Sequence, residues 1–149
     1  MKILVDADSC PVKDEVLAVA REFNIEAWLF ASVNHLLSAG TGARVIQVDD
    51  YPEAVDLAVI SHAEPGDVVV TGDYGLAALA LGRGCRAVSP RGRVFQPQEA
   101  DRLLANRHLT RCLKRGGHRI KGPAPFKPKD RQKFLASLSF LLRQDSNNR

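Results

Sequence analysis

The sequence predicts an α/β fold: a mainly parallel sheet with helices on both faces, followed by a basic C-terminal helical extension. Three observations lead there. Short β-branched runs alternate with helical patterns over the first ninety residues, the interval expected of βαβ units with right-handed crossovers and a buried parallel sheet. A length of 149 residues suffices for one sizeable core and not for two. Hydrophobic residues at 45% and charged residues at 26% match a globular chain rather than a disordered, fibrous or membrane one.

Ile3-Leu4-Val5 reads as a buried strand. Val12, Val16, Val19, Ala20 and Phe23 follow at helical spacing, with Pro11 suited to the first turn. Residues 27–30 and 44–48 are the second and third strands. Pro52 opens a helix carrying Val55, Val59 and Ile60 that ends near Pro65-Gly66. Val68 to Thr71 is a continuous β-branched strand bounded by Gly66 and Gly72. A helix from Tyr74 stops at Gly82 or Gly84, and Arg86 to Ser89 is a short last strand. From Gln96 the texture changes to a polar, Arg-rich helix reaching Lys114, then a Gly- and Pro-rich loop. In the terminal helix Phe134, Leu135, Leu138, Leu141 and Leu142 form one apolar stripe that should dock on the body. Organised this way, the chain is one domain over 1–149. It has a core over 1–95, an extension over 96–144 and a frayed tail over 145–149.

Charge is divided unevenly. Residues 1–80 carry thirteen acidic and four basic side chains, a balance of −9, whereas residues 81–149 carry seventeen basic and four acidic, a balance of +13. Such asymmetry fits one part collecting carboxylates for a cation and another facing a polyanion. Mutual attraction of two solvated faces is the plainer alternative. No apolar run approaches the ~20 residues that cross a bilayer, and the opening apolar stretch is too short for a signal peptide. Cys10, Cys85 and Cys112 form no CxxC pair, which argues for a reducing cytoplasm over a disulfide scaffold. A small buried residue is the better reading of Cys10. His35, His62, His108 and His118 lack zinc-ligand spacing. A homodimer is compatible with the sequence.

In a parallel α/β sheet, ligands lie beyond the carboxyl ends of the strands. Asp6 and Asp8 follow the first strand, Asp49 and Asp50 the third, and Asp73 the fourth. Glu53 and Asp56 lie three apart on the next helix, hence on one face. Converging carboxylates repel, at ~4 Å by about 4 kcal/mol for an effective dielectric of 20, so a hard cation such as Mg²⁺ or Mn²⁺ is the expected neutraliser. Each aspartate also has a local reading as a turn or helix cap. Asp8 and Asp50 are the strongest cap candidates and Asp67 a turn residue, while Asp6 and Asp73 are the strongest metal candidates.

Val5-Asp6-Ala7-Asp8-Ser9-Cys10-Pro11-Val12 resembles the opening of the bacterial YaiI/YqxD family. Val70-Thr71-Gly72-Asp73, Pro90-Arg91-Gly92, the Gly122-Pro123 loop and Lys129-Asp130-Arg131 with Phe134 extend the likeness along nearly the whole chain. The resemblance implies a PIN-like domain, a group with many Mg²⁺- or Mn²⁺-dependent ribonucleases. Carried over, it makes Asp6 and Asp73 metal carboxylates, Asp56 a helix-borne acid and Thr71 a supporting hydroxyl, with Asp8 part of the family's own motif. Glu53 and Ala78 depart from the pattern, where relatives carry an aspartate and a further acid. The fourth carboxylate of a complete two-metal site is therefore missing, which leaves one ion, or none outside a substrate complex, as an open alternative.

The expected activity is hydrolysis of RNA phosphodiester bonds, with Asp6, Asp56 and Asp73 around the ion, Asp8 positioning water and Glu53 in support. RNA would be gripped by the basic half. Arg91 and the ten cations Arg107, Arg111, Lys114, Arg115, Arg119, Lys121, Lys127, Lys129, Arg131 and Lys133 are the candidates, opposed between 107 and 133 only by Asp130. Phe126 is available to stack on a base. Two alternatives compete: a non-catalytic RNA- or ribosome-binding module, and a haloacid-dehalogenase-like phosphatase using Asp6 as nucleophile. The second lacks a late acidic pair, since Tyr-Gly-Leu-Ala follows Asp73.

Overall fold

The computed structural model describes residues 1–32, 43–49, 53–105, 116–117 and 125–147. Among them, six strands form one sheet: β1 (Lys2–Asp6), β2 (Glu26–Ser32), β3 (Arg44–Val48), β4 (Val68–Val70), β5 (Arg86–Val88) and β6 (Val94–Phe95). Their order is β3-β2-β1-β4-β5-β6. The first five run parallel, and β6 pairs antiparallel with β5. Helices α1 (Lys13–Phe23), α2 (Ala54–His62), α3 (Tyr74–Gly82) and α4 (Pro128–Asn147) cover the two faces.

Strand alternation decides which layer covers which side chain. Ile3, Val5, Ala27, Leu29, Val68 and Val70 point to one face and pack with Val16, Leu17, Val19 and Ala20 of α1. Leu4, Phe30 and Val69 point to the other and pack with Val59 of α2 and with Leu76 and Ala80 of α3. Helix α1 ends where Asn24 turns into the left-handed region at φ 56° and the Ile25 amide closes on Ala20 O at 2.9 Å. Helix α4 is no appendage. Its stripe of Phe134, Leu138, Leu141 and Leu142 is buried in the α1 layer, each side chain contributing ~1.5–3 kcal/mol by leaving water. A further cluster joins Ala77, Leu81, Ala87 and Phe95 to Leu103, which lies in a helical stretch over 100–105.

Several sequence expectations need correction. Pro11 lies in a turn and α1 starts at Lys13. Pro52 is outside the described residues, and α2 starts at Ala54. The short β6 was not expected; it arises because Ser89-Pro90-Arg91-Gly92 turns the chain back, the Gly92 amide donating to Ser89 O at 2.9 Å. Helix α4 continues through residue 147, so residues 145–147 of the expected frayed tail are helical, and 148–149 lie outside the described residues. Buried Asp67 does close a turn, accepting from the Glu64 amide at 2.9 Å, and also binds the Lys2 ammonium at 2.7 Å. Burial acts to lower the Lys2 pKa, but the hydrogen bond and charge of Asp67 prevail and raise it.

Candidate functional site

The chain leaves β1 for β2 and β3 on one side, then returns to place β4 on the other. This reversal opens a crevice at the carboxyl ends of β1 and β4, the position where doubly wound sheets bind ligands. Three of the expected residues meet there. Asp6 is the last residue of β1, and Thr71 follows β4 one step beyond the Val5–Val70 pair. The Thr71 hydroxyl donates to Asp6 Oδ2 at 3.1 Å and accepts from the Asp73 amide at 3.0 Å. The buried hydroxyl thus hands one hydrogen bond along from the start of α3 to the β1 carboxylate.

Asp73 is the N-cap of α3. Its Oδ1 accepts from the amides of Gly75 at 2.8 Å and Leu76 at 3.2 Å, satisfying two donors that an α-helix leaves open at its start. The strongest metal candidate with Asp6 therefore commits one oxygen to the main chain. Asp8, expected as a cap of α1, does not hold that position. It lies exposed in a 3₁₀ turn over Ala7–Ser9, and both its oxygens face the Ser32 amide, at 3.3 and 3.2 Å. That ties the exit of β1 to the exit of β2, while Val12 holds the N-cap position of α1.

Asp56 is buried in the first turn of α2, three residues before Val59, which packs on Leu4 and Val69. It thus turns toward the sheet face that carries Asp6. Glu53 stands at the N-cap of α2 rather than within the helix. It precedes α2, is exposed, and has a left-handed backbone at φ 69°, a conformation uncommon for a non-glycine residue. Asp49 follows β3, and Asp50 lies outside the described residues. Cys10 is buried, and that burial pushes its thiol up to about 11, the opposite of an activated thiolate.

The donor set at the crevice is all oxygen, carboxylate and hydroxyl, which suits a hard cation. It is not a closed cage: among the described residues no three His, Cys, Asp or Glu side chains are grouped to hold an ion. An ion held there would rest on one or two carboxylates and leave positions open to other oxygen ligands, as is usual for Mg²⁺.

Beside the carboxylates lies a cleft of about 480 Å³. Gly72 and Tyr74, which flank Asp73, form one side; the β5–β6 hairpin, with Arg91, Arg93 and Phe95, forms another, and Phe126 and Pro11 complete the lining. Its cations are stacked on rings. Arg93 lies over Phe95 at 5.0 Å and Tyr74 at 5.7 Å, and Arg91 over Phe126 at 5.6 Å. Asp130 at 3.2 Å and Glu99 at 3.0 Å hold the guanidinium groups of Arg91 and Arg93, respectively. Arg131 stacks on Phe126 at 5.1 Å but is bound to Glu15 at 2.8 Å and Pro11 O at 3.1 Å, so its part is to fasten α4 to α1. Lys127, Lys129 and Lys133 are exposed on and just before α4. Arg107, Arg111, Lys114, Arg115, Arg119 and Lys121 lie outside the described residues. Tyr74, Arg93 and Phe95 were missed in the sequence. The signal was there: Ser-Pro-Arg-Gly between Arg86-Ala87-Val88 and Val94-Phe95 is a hairpin pattern that folds two arginines back over a strand end.

Fold and crevice together define an open, doubly wound α/β protein with an oxygen-donor site at its topological switch point. The family model described as "Uncharacterized BCR, YaiI/YqxD family" matches residues 4–144. The chain belongs to the YaiI/YqxD family. It is 40% identical over 141 residues to a UPF0178 protein of Halalkalibacterium halodurans, covering 95% of this chain and 90% of that one. A UPF0178 protein of Heliobacterium modesticaldum is 39% identical over 146 residues, 97% of this chain and 98% of its own. One from Bacillus cytotoxicus is 40% identical over 141 residues, 95% and 92%. No solved structure matches the chain. Among the described residues no helix is long and apolar enough to cross a membrane.

Proposed function

We propose that this protein is a PIN-like, metal-assisted ribonuclease of the cytoplasm that hydrolyses RNA phosphodiester bonds at the crevice between β1 and β4. The observation that carries the reading is the relay from the Asp73 amide through Thr71 to the Asp6 carboxylate, set at the switch point and flanked by stacked arginines. Free, buried Cys10 and Cys85 agree with a reducing compartment.

Asp6 and Asp73 would hold the ion with the RNA phosphate, and Asp56 lies on the covering helix to orient the shell. A bound Mg²⁺ or Mn²⁺ would ease deprotonation of the attacking water and would supply positive charge for the leaving oxygen. The protein's own share is positional. Thr71 holds Asp6 in one rotamer by donating to Oδ2. The α3 N-terminus does the same for Asp73 through Oδ1. Arg91 and Arg93, already oriented by Asp130 and Glu99, would hold phosphate through their remaining guanidinium donors.

A specific observation favours a second reading, an RNA-binding module without hydrolysis: Asp8 and Asp73 both accept from main-chain amides. The two part on one experiment. Labelled RNA is incubated with purified protein and Mn²⁺, beside Asp6→Asn and Asp73→Asn. Hydrolysis requires cleavage by the wild type that both variants lose while RNA affinity is kept. Intact RNA under Mg²⁺ and Mn²⁺, with binding whose salt dependence flattens in a Lys127→Gln, Lys129→Gln variant, leaves the binding module.

A further inference from the structure

We propose that the cleft beside Asp73 is a seat for one unpaired nucleotide, so that the substrate class is single-stranded RNA. This rests on the RNA reading above and adds to it a recognition site distinct from the carboxylates. At about 480 Å³ the cleft has the size of a small-molecule site, within the ~300–1,000 Å³ range of such pockets. Its walls combine the two chemistries a nucleotide requires. Phe126 and Tyr74 offer flat apolar surface for a base, with buried Phe95 as the floor beneath Arg93, and Arg91 and Arg93 offer charge for the adjoining phosphates. The pairing of ring with guanidinium is itself a stacking platform, since both planes accept a base face.

Position supports the assignment. Gly72 and Tyr74 line the cleft on either side of Asp73 in the chain, so a nucleotide seated there brings its neighbouring phosphate to the β1–β4 crevice. Assembly supports it too. The hairpin bearing Arg91 and Arg93 is clamped to α4: the Ser137 hydroxyl donates to Gly92 O at 2.6 Å, and Asp130 joins Arg91 to the start of α4 while also accepting from the Lys127 amide at 2.9 Å. The seat is thus built by two segments far apart in sequence, rigid enough to be ready before its ligand arrives. A base inside a duplex cannot lie between these walls without unstacking, which is why the cleft selects single strands.

The test uses the full-length protein and fluorescence anisotropy with a labelled ten-nucleotide RNA, alone or annealed to its complement, without divalent cation. Variants are Phe126→Leu, which keeps an apolar side chain but removes the ring, and Arg93→Gln. Thermal denaturation checks that both remain folded. The expected result is tighter binding of the single strand. Phe126→Leu should weaken it by roughly 5- to 100-fold, the scale of one lost base stack, with duplex binding changed less than twofold. Equal binding of single strand and duplex, or unchanged affinity in folded Phe126→Leu, overturns the seat while the RNA reading stands. Absence of binding to either form overturns both. A single-stranded DNA of the same sequence bound equally well keeps the seat but extends its ligand to the nucleotide chemistry that RNA and DNA share.

Discussion

Gly92→Ala is the substitution whose cost can be worked most directly from the structure. Gly92 has φ +90°, and a Cβ built there would stand 2.7 Å from the Lys133 carbonyl carbon and 2.8 Å from its oxygen. Two penalties add. The left-handed backbone costs an L-residue ~1–2 kcal/mol, and forcing a methyl against the α4 backbone costs ~1–3 kcal/mol because the chain must shift. The sum, ~2–5 kcal/mol, is a large part of the ~5–15 kcal/mol that stabilises a typical domain. For a chain of 149 residues it lowers Tm on the order of 5–15 °C. Gly66→Ala is the control: φ is +94° but nothing lies within 4 Å, so only the backbone penalty remains. Alanine restricts the unfolded chain alike at both sites, so the difference between the variants isolates the contact with α4. The assay is urea and thermal unfolding of both, followed by RNA anisotropy at a temperature where Gly92→Ala is folded. Equal destabilisation of the two variants would refute the argued contact between hairpin and helix.

Other outcomes follow from the same geometry. Asp73→Ala should lose ~0.5–2 kcal/mol of stability and Asp73→Asn only a small part of it, since asparagine still accepts from the α3 amides; equal shifts of the urea midpoint would contradict the capping role. Thr71→Val removes the donor to buried Asp6 and the acceptor of the Asp73 amide, and should cost ~1–3 kcal/mol in urea unfolding despite the matched shape. Phe134→Ala empties a fully buried site of the α1 layer and should lower stability by ~3–5 kcal/mol, whereas a merely appended α4 would lose little. Cys10, raised from 9.0 to about 11 by burial, is thiolate about 100-fold less often at pH 8 than an ordinary thiol. Its alkylation by iodoacetamide, followed by mass spectrometry, should be slower by at least that factor in folded protein. Because the folded-state pKa is the higher one, stability is untouched below pH 9 and falls as pH climbs from 9 to 11; a Cys10→Ala variant should lack that part of the decline.

Much of the scaffold is legible in the sequence. Strands such as Val68–Val70 announce themselves because a parallel strand is buried on both faces and must be apolar throughout. The α4 stripe is equally clear, since a docked helix repeats its apolar side chains at a fixed spacing. Asp6 and Asp73 could be named because strand ends can be counted from the strands themselves, and Thr71 because the family resemblance pointed to it. The amide partner of Asp8 and the backbone turn at Glu53 could not be read there. Whether a carboxylate meets an ion or a main-chain amide depends on the path of a neighbouring strand end, here Ser32 of β2, and on a left-handed turn at Glu53 that no composition rule anticipates.

What the sequence by itself determined was the layered α/β plan and the gathering of acids at strand ends, because burial and periodicity are local properties written in consecutive residues. Only the tertiary structure decided the strand order that opens the crevice between β1 and β4, the diversion of Asp73 into an N-cap, and the cleft in which Tyr74, Arg93 and Phe126 meet. Those depend on contacts between residues distant in the chain, and their free energies are settled by packing rather than by any residue's own preference.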